Sequence, residues 1–200
     1  MNNSEIKKRA REAMRNNWGL AIVVLLVYGL INSVLSATGI GSLAVGLLAV
    51  GLSAFFLSVV RNKNASFESF FTGMTECIGT KFVSVLLVQI YTMLWSLLFV
   101  IPGIVKSYSY AMTPYILLDK PELSATEAID DSRSMMDGHK MELFLLDLSF
   151  IGWILLSALT CGALLLYVAP YMQAARAEFY RTLKGEDEAK DEEPIVEIPH

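Results

Sequence analysis

Lys106 and Asp147 carry charge deep inside otherwise apolar stretches of this chain. A charge in such a place is costly unless something compensates it, so each marks a candidate site. Joined, the two would form an intramembrane ion pair in a polar pathway or a headgroup site. Apart, Lys106 would snorkel to the outer surface while Asp147 capped a backbone group or met a tyrosine. Tyr108, Tyr110, Tyr115, Tyr167, Tyr171 and Tyr180 gather on the fourth and sixth of the chain's six apolar stretches, beside Pro114 and Pro170. Proline frees a backbone carbonyl that can then serve as a ligand. Tyr110, Pro114, Pro170 and Tyr171 therefore join Lys106 and Asp147 as candidates for lining a cavity between two kinked helices. An aromatic belt with tolerated kinks accounts for the same residues.

Other chemistry finds less support. Asp130, Asp131, Asp137 and His139 are metal-ligand types, but the third carboxylate of an Asp-Asp-x-x-Asp site is missing and the charges suit a solvated helix face. A Ser-His-Asp centre would have to use His139, the one histidine ahead of the tail. No HExxH and no glycine-rich phosphate loop occurs. Cys77 and Cys161 lack CxxC spacing and are expected on opposite sides of a membrane, where no disulfide can join them. The sequence thus predicts no enzyme, no metal site and no cofactor.

The elements that must position these residues are read from hydropathy. The chain is 54% apolar over 200 residues and only 18% charged, whereas soluble domains run near 25% charged. Trp18 to Ala37, Ile40 to Val60, Phe82 to Ile101 and Met141 to Thr160 are each long enough to cross about 30 Å of hydrocarbon. Ile104 to Leu118 and Cys161 to Ala175 are shorter, reaching about 22 Å at helical rise. The fold class is therefore all-α and polytopic: six transmembrane helices arranged as three hairpins, each with an amphipathic helix. Fifteen of the sixteen Lys and Arg residues then face one side, Lys106 being the exception. The positive-inside rule assigns that side, with both termini, to the cytoplasm and the protein to the cytoplasmic membrane.

Three units recur at intervals of about 60 residues, beginning at Asn17-Trp18, Lys81-Phe82 and Lys140-Met141. Pro114-Tyr115 ahead of Lys120 matches Pro170-Tyr171 ahead of Arg176. Between the apolar stretches, amphipathic helices are expected near 65–80 and 123–137. The first follows Ser66 and carries Phe67, Phe70, Phe71, Met74, Cys77 and Ile78 on one stripe. In the second, Ser124 and Glu127 make a capping box ahead of Ala125, Ala128, Ile129, Ser132, Met135 and Met136; its acidic outer face predicts docking on protein. The N-terminal segment, residues 1–17, sets Ile6, Ala10, Ala13 and Met14 against Lys7, Lys8, Arg9, Arg11 and Arg15. That pattern predicts a helix lying on anionic lipid headgroups. The membrane domain then spans 18–184, and residues 185–200 form an acidic tail expected to be disordered.

The run Ile101-Pro-Gly-Ile-Val-Lys106-Ser-Tyr-Ser-Tyr110-Ala-Met-Thr-Pro114-Tyr115 resembles the bacterial family catalogued as domain of unknown function 975. So do Ser124 through Glu127-Ala-Ile, Ser132, Met136-x-Gly138-His139-Lys140, and Leu148-Ser-Phe-Ile-Gly-Trp153, with the likeness spanning residues 5 to 184. The resemblance implies the membrane architecture, similar in outline to the membrane region of some glycerophosphodiester phosphodiesterases, and brings no reaction with it.

Two partner readings follow. Ser42, Gly46, Ala49 and Ser53 form a small-residue stripe on the second stretch, for close packing within the monomer or for a homo-oligomer seam. The bilayer, and a membrane or cytosolic protein docked on the cytoplasmic helices, are the expected partners; nucleic acid is not. The leading functional expectation is a non-enzymatic lipid- or protein-organising membrane component. The alternative is a small-solute or ion transporter or channel that uses the polar residues of stretches four to six.

Overall fold

The computed structural model describes residues 3–37, 41–61, 66–75, 78–98, 100–159 and 164–186. Cys77, Cys161, the Met74 and Ser42 side chains, and the tail past Glu186 lie outside the described residues. Among the described residues all regular structure is helical: α1 (Asn3–Met14), α2 (Trp18–Ala37), α3 (Gly41–Val60), α4 (Phe67–Thr75), α5 (Ile78–Leu98), α6 (Val100–Ser109), α7 (Thr113–Asp119), α8 (Ala125–Met135), α9 (Lys140–Leu159) and α10 (Leu165–Lys184).

Local chemistry explains several boundaries. At the start of α8 the Glu127 N–H donates to Ser124 Oγ at 3.3 Å, and the Ser124 N–H donates to the Glu127 carboxylate at 2.8 Å. This is the capping box that the residue spacing predicts, and it opens a helix that buries Ala125, Ala128, Ile129 and Ser132. Losing such a cap costs about 1 kcal/mol. Ser124→Ala should therefore speed amide exchange at Glu127 about fivefold, as measured by hydrogen exchange. At the other end of the chain, α10 stops at Gly185, whose φ of 75° is the left-handed conformation that glycine adopts without strain.

The fourth apolar stretch is not one helix. Its backbone tightens after Ser109, with the Tyr110 N–H shared between the Lys106 and Ser107 carbonyls at 3.1 and 3.3 Å. It restarts at Thr113 with Pro114 in the first turn, where the missing N–H is tolerated. The Ser109 carbonyl at the break accepts the Ser132 hydroxyl of α8 at 2.9 Å. Pro170, by contrast, sits inside a continuous α10, and Tyr115 stacks on Tyr180 at 5.2 Å rather than aligning with Tyr171. The two proline motifs are alike in sequence and different in structural role.

The C-terminal ends of α3, α7 and α10 meet, with Arg61, Asp119 and Lys184 sharing one ionic cluster. α5 folds back on α6, setting Trp95 beside Lys106 and Tyr91 beside Tyr110. α9 folds back on α10, with Phe150 against Tyr171 at 5.2 Å. These two hairpins follow the sequence expectation.

The N-terminal region departs from it. Ile6, Ala10 and Met14, expected to meet lipid, are buried in protein. The Tyr171 hydroxyl donates to the Lys7 carbonyl at 3.0 Å, the Lys7 amine lies 4.5 Å from the Phe150 ring centre, and Arg11 lies 5.5 Å from that of Tyr171. Lys8, Arg9, Arg11 and Arg15 stay exposed. Docking α1 on α9 and α10 fixes where α2 begins: the chain turns through 96° and Trp18 stacks on Tyr167 at 4.4 Å. In six alternating crossings Tyr167 would lie about 12 Å from the boundary at which Trp18 begins, eight residues at helical rise. Among the described residues, one helix is by itself long and apolar enough to cross a membrane, through Ile78–Trp95 of α5, and α1 with α2 qualifies as a bent pair.

Candidate functional site

The break between α6 and α7 opens a cavity of about 470 Å³. Its walls come from α2 (Tyr28), α3 (Ala49, Leu52, Ser53), α6 and the break (Ile104, Ser107, Tyr108, Ala111, Met112), α7 (Pro114, Tyr115), α9 (Leu143, Asp147) and α10 (Gln173, Arg176). A continuous helix would have filled part of this space with its own turn.

Asp147 is the charged centre of the cavity. Arg176 grips it side-on, Nε donating to Oδ1 at 3.1 Å and Nη2 to Oδ2 at 2.8 Å. Tyr108 donates its hydroxyl to Oδ2 at 3.2 Å. The carboxylate is 15% exposed, while the guanidinium side chain keeps 41% of its surface accessible. An acceptor held by three donors is fixed in position, so Asp147 presents its charge without moving.

Lys106 takes no part in this. Its amine lies 4.8 Å above the Trp95 ring, in a separate groove of about 350 Å³ that Tyr91, Tyr110, Asp130 and Arg133 also line. Hairpin geometry explains both outcomes. Asp147 lies twelve residues before the end of α9 and Arg176 eleven after the start of α10, so they stand opposite each other. Lys106 meets Trp95 near the α5–α6 turn, six residues after the start of α6 against three before the end of α5. Of the other expected site residues, Pro114 lines the main cavity, Tyr110 lines the Lys106 groove, and Pro170 is buried in α10. Tyr171 is engaged by α1. Arg176, Tyr108, Tyr115 and Gln173 complete the cavity; by charge alone, Arg176 is one more topology-setting cation.

The small-residue stripe divides between two tasks. A Cβ on Gly46 would fall 1.9 Å from Val85 Cγ1, so this glycine permits close packing of α3 on α5 within the monomer. Ala49 and Ser53 face the cavity instead. The four residues of metal-ligand type in the α8 region each meet a charged or ionisable neighbour: Asp130 with Arg133 at 2.9 Å, Asp131 with Lys120 at 3.1 Å, Asp137 with Lys140 at 3.8 Å, and His139 with Glu142 at 2.8 Å.

A second ionic group joins the C-terminal ends of α3, α7 and α10. Asp119 receives the two Nη groups of Arg61 at 2.6 and 2.7 Å, Lys184 at 2.6 Å and the Tyr180 hydroxyl at 2.8 Å. Glu186 joins Arg61 and Arg181. Burial alone would raise the Asp119 carboxyl, but hydrogen bonds from Arg61, Lys184 and Tyr180 outweigh it and hold the group well below the usual carboxylate range.

Residues 97–187 match the family model described as protein of unknown function (DUF975). This is the family that the motifs between Ile101 and Trp153 resemble, with the match beginning at 97 rather than at residue 5. No curated protein and no solved structure matches the chain.

Proposed function

We propose that this chain, whose second half carries that family match, is a non-enzymatic multi-pass protein of the cytoplasmic membrane that binds a small polar group in the cavity around Asp147 and Arg176. The observation that carries this reading is the fixed Asp147–Arg176–Tyr108 group facing about 470 Å³ of open space beside a broken helix. Broken helices lining a polar site recur in membrane proteins that bind solutes or ions.

Membrane insertion is supported by the outer surface. The apolar window of α5 is only 11% buried within the protein, whereas a core helix of a soluble domain would be covered. Val83, Ile90, Met93 and Leu94 on α5, Leu145, Leu148, Ile151 and Leu155 on α9, and Val23, Leu26 and Leu30 on α2 all point outward. Exposed apolar side chains in this number on three helices fit a lipid surface. The apolar stripes of α1 and α8, on which a protein-organising role would rely, are occupied by the protein's own helices. That favours the cavity over the cytoplasmic helices as the working site.

Thiol labelling tests both parts of the reading. With Cys77 and Cys161 replaced by serine and the protein in lipid nanodiscs, Ser107→Cys and Ser53→Cys should react with a small water-soluble thiol reagent. Leu155→Cys should not. Amino acids, organic acids, amines and sugars are then added in turn, and at least one class should protect Ser53→Cys. Equal labelling of Leu155→Cys would refute membrane burial, and the absence of protection by every class would refute the cavity reading.

A further inference from the structure

The way Arg176 holds Asp147 limits what the cavity can accept. The side-on grip uses Nε and one hydrogen of Nη2. The end-on edge, formed by Nη1 and the second Nη2 hydrogen, faces away from Asp147 on a side chain that lines the cavity. That fork matches the two oxygens of a carboxylate or phosphate. Asp147 offers about four lone-pair sites, and three donors already occupy it, which leaves acceptor capacity for an ammonium group. The rings of Tyr28, Tyr108 and Tyr115 stand in the same walls and offer π faces to a cation.

Net charge narrows the class further. Asp147 and Arg176 cancel, and among the described residues no other charged side chain lines the cavity. A ligand with net charge would bring an uncompensated charge into a partly desolvated space, whereas a ligand with internal charge separation would complete both partners.

Resting on the cavity reading above, we propose that the site binds a compact zwitterion, with an ammonium and an anionic oxygen group a few atoms apart. The anionic group meets Arg176 and the ammonium meets Asp147 and the tyrosine rings. A free amino acid or betaine has this chemistry, and so does the headgroup of phosphatidylethanolamine.

Equilibrium binding to the full chain in nanodiscs tests the assignment. In phosphatidylglycerol nanodiscs, L-alanine and glycine betaine should bind at least tenfold more tightly than acetate or ethylammonium. Arg176→Gln should weaken alanine binding about 30-fold, the loss of one charge-assisted interaction. Asp147→Asn leaves a net positive site and should reverse the preference toward acetate, a change that misfolding could not produce. Phosphatidylethanolamine nanodiscs separate the two sources. Unchanged alanine binding there identifies a free solute, and displacement of alanine identifies the lipid headgroup; either supports the zwitterion. Acetate binding as tightly as alanine in the wild type would overturn the zwitterion and leave the cavity reading standing. Failure of all four probes, with no difference between the two lipids, would remove both.

Discussion

Asp119→Ala should lower stability by about 3 kcal/mol, the scale for removing one partner from a largely buried ion pair. The cause is less the lost attraction than what remains. Arg61 and Lys184 would be left to share the single carboxylate of Glu186, and Tyr180 would lose its acceptor. The carboxylate is 10% exposed and Arg61 16%, so water replaces little of what is removed. Lys184 is 38% exposed, and Lys184→Ala should therefore cost under about 1 kcal/mol. Thermal unfolding midpoints in detergent micelles compare the two variants directly. A shift for Asp119→Ala no larger than that for Lys184→Ala would show that the cluster does not tie the three helices together.

The pH dependence of that deficit follows from the direction of each shift. The folded Asp119 carboxyl lies below its unfolded value of about 4, so its contribution is complete above that value. The contribution fades as the pH falls through the lower folded value. Lys184 is raised: burial lowers its pKa, but hydrogen bonds to Asp119 and Glu186 raise it more. Its contribution is complete below about pH 10 and fades as the pH climbs through the folded value. Between about pH 5 and pH 10 neither group changes state, so the Asp119→Ala deficit should be the same at about pH 6 and about pH 8.

Particular residues mark what could be read from the sequence. The Ser124–Glu127 box was legible because capping is local, decided by residues three apart. The antiparallel hairpins were legible because their turns are short. Asp147 was identifiable as a site residue from its cost in an apolar stretch, and a tyrosine was among its expected partners, as Tyr108 is, but its ionic partner was not legible. Charge alone pointed to Lys106, whereas distance from the hairpin turn selects Arg176. The broken fourth stretch shows the same limit. Pro114 announces some disturbance, but Ser132, from another helix, supplies the hydroxyl for the exposed Ser109 carbonyl. The docking of α1 was the hardest to foresee. A basic amphipathic helix looks the same whether its apolar stripe meets lipid or a groove beside Tyr171, and only the tertiary partner tells them apart.

The largest single loss is expected from Phe70→Ala, at about 3–5 kcal/mol. α4 has nine residues, too few to be stable without tertiary contacts, and it holds its place through a tight seam with α3. A Cβ on Gly73 would fall 2.2 Å from Ala54 Cβ, and one on Gly51 would fall 2.6 Å from the Phe70 carbonyl oxygen. The two helices therefore touch almost backbone to backbone, with Phe70 fully buried between them. Phe67 and Phe71 pack on its ring at 6.3 and 5.2 Å, and Phe71 faces outward. Lys81 adds a tether by donating to the Gly73 carbonyl at 2.7 Å. Phe71→Ala, which removes a ring of similar size from an exposed position, should cost under about 1 kcal/mol in the same unfolding measurement. The Phe70 side chain does not line the Asp147–Arg176 cavity. Phe70→Ala should thus lower the unfolding midpoint while leaving ligand affinity within about twofold of wild type, once both are measured below the variant's unfolding temperature. An affinity that fell with stability would mean that α4 positions the cavity walls through α3, where Ala49, Leu52 and Ser53 sit.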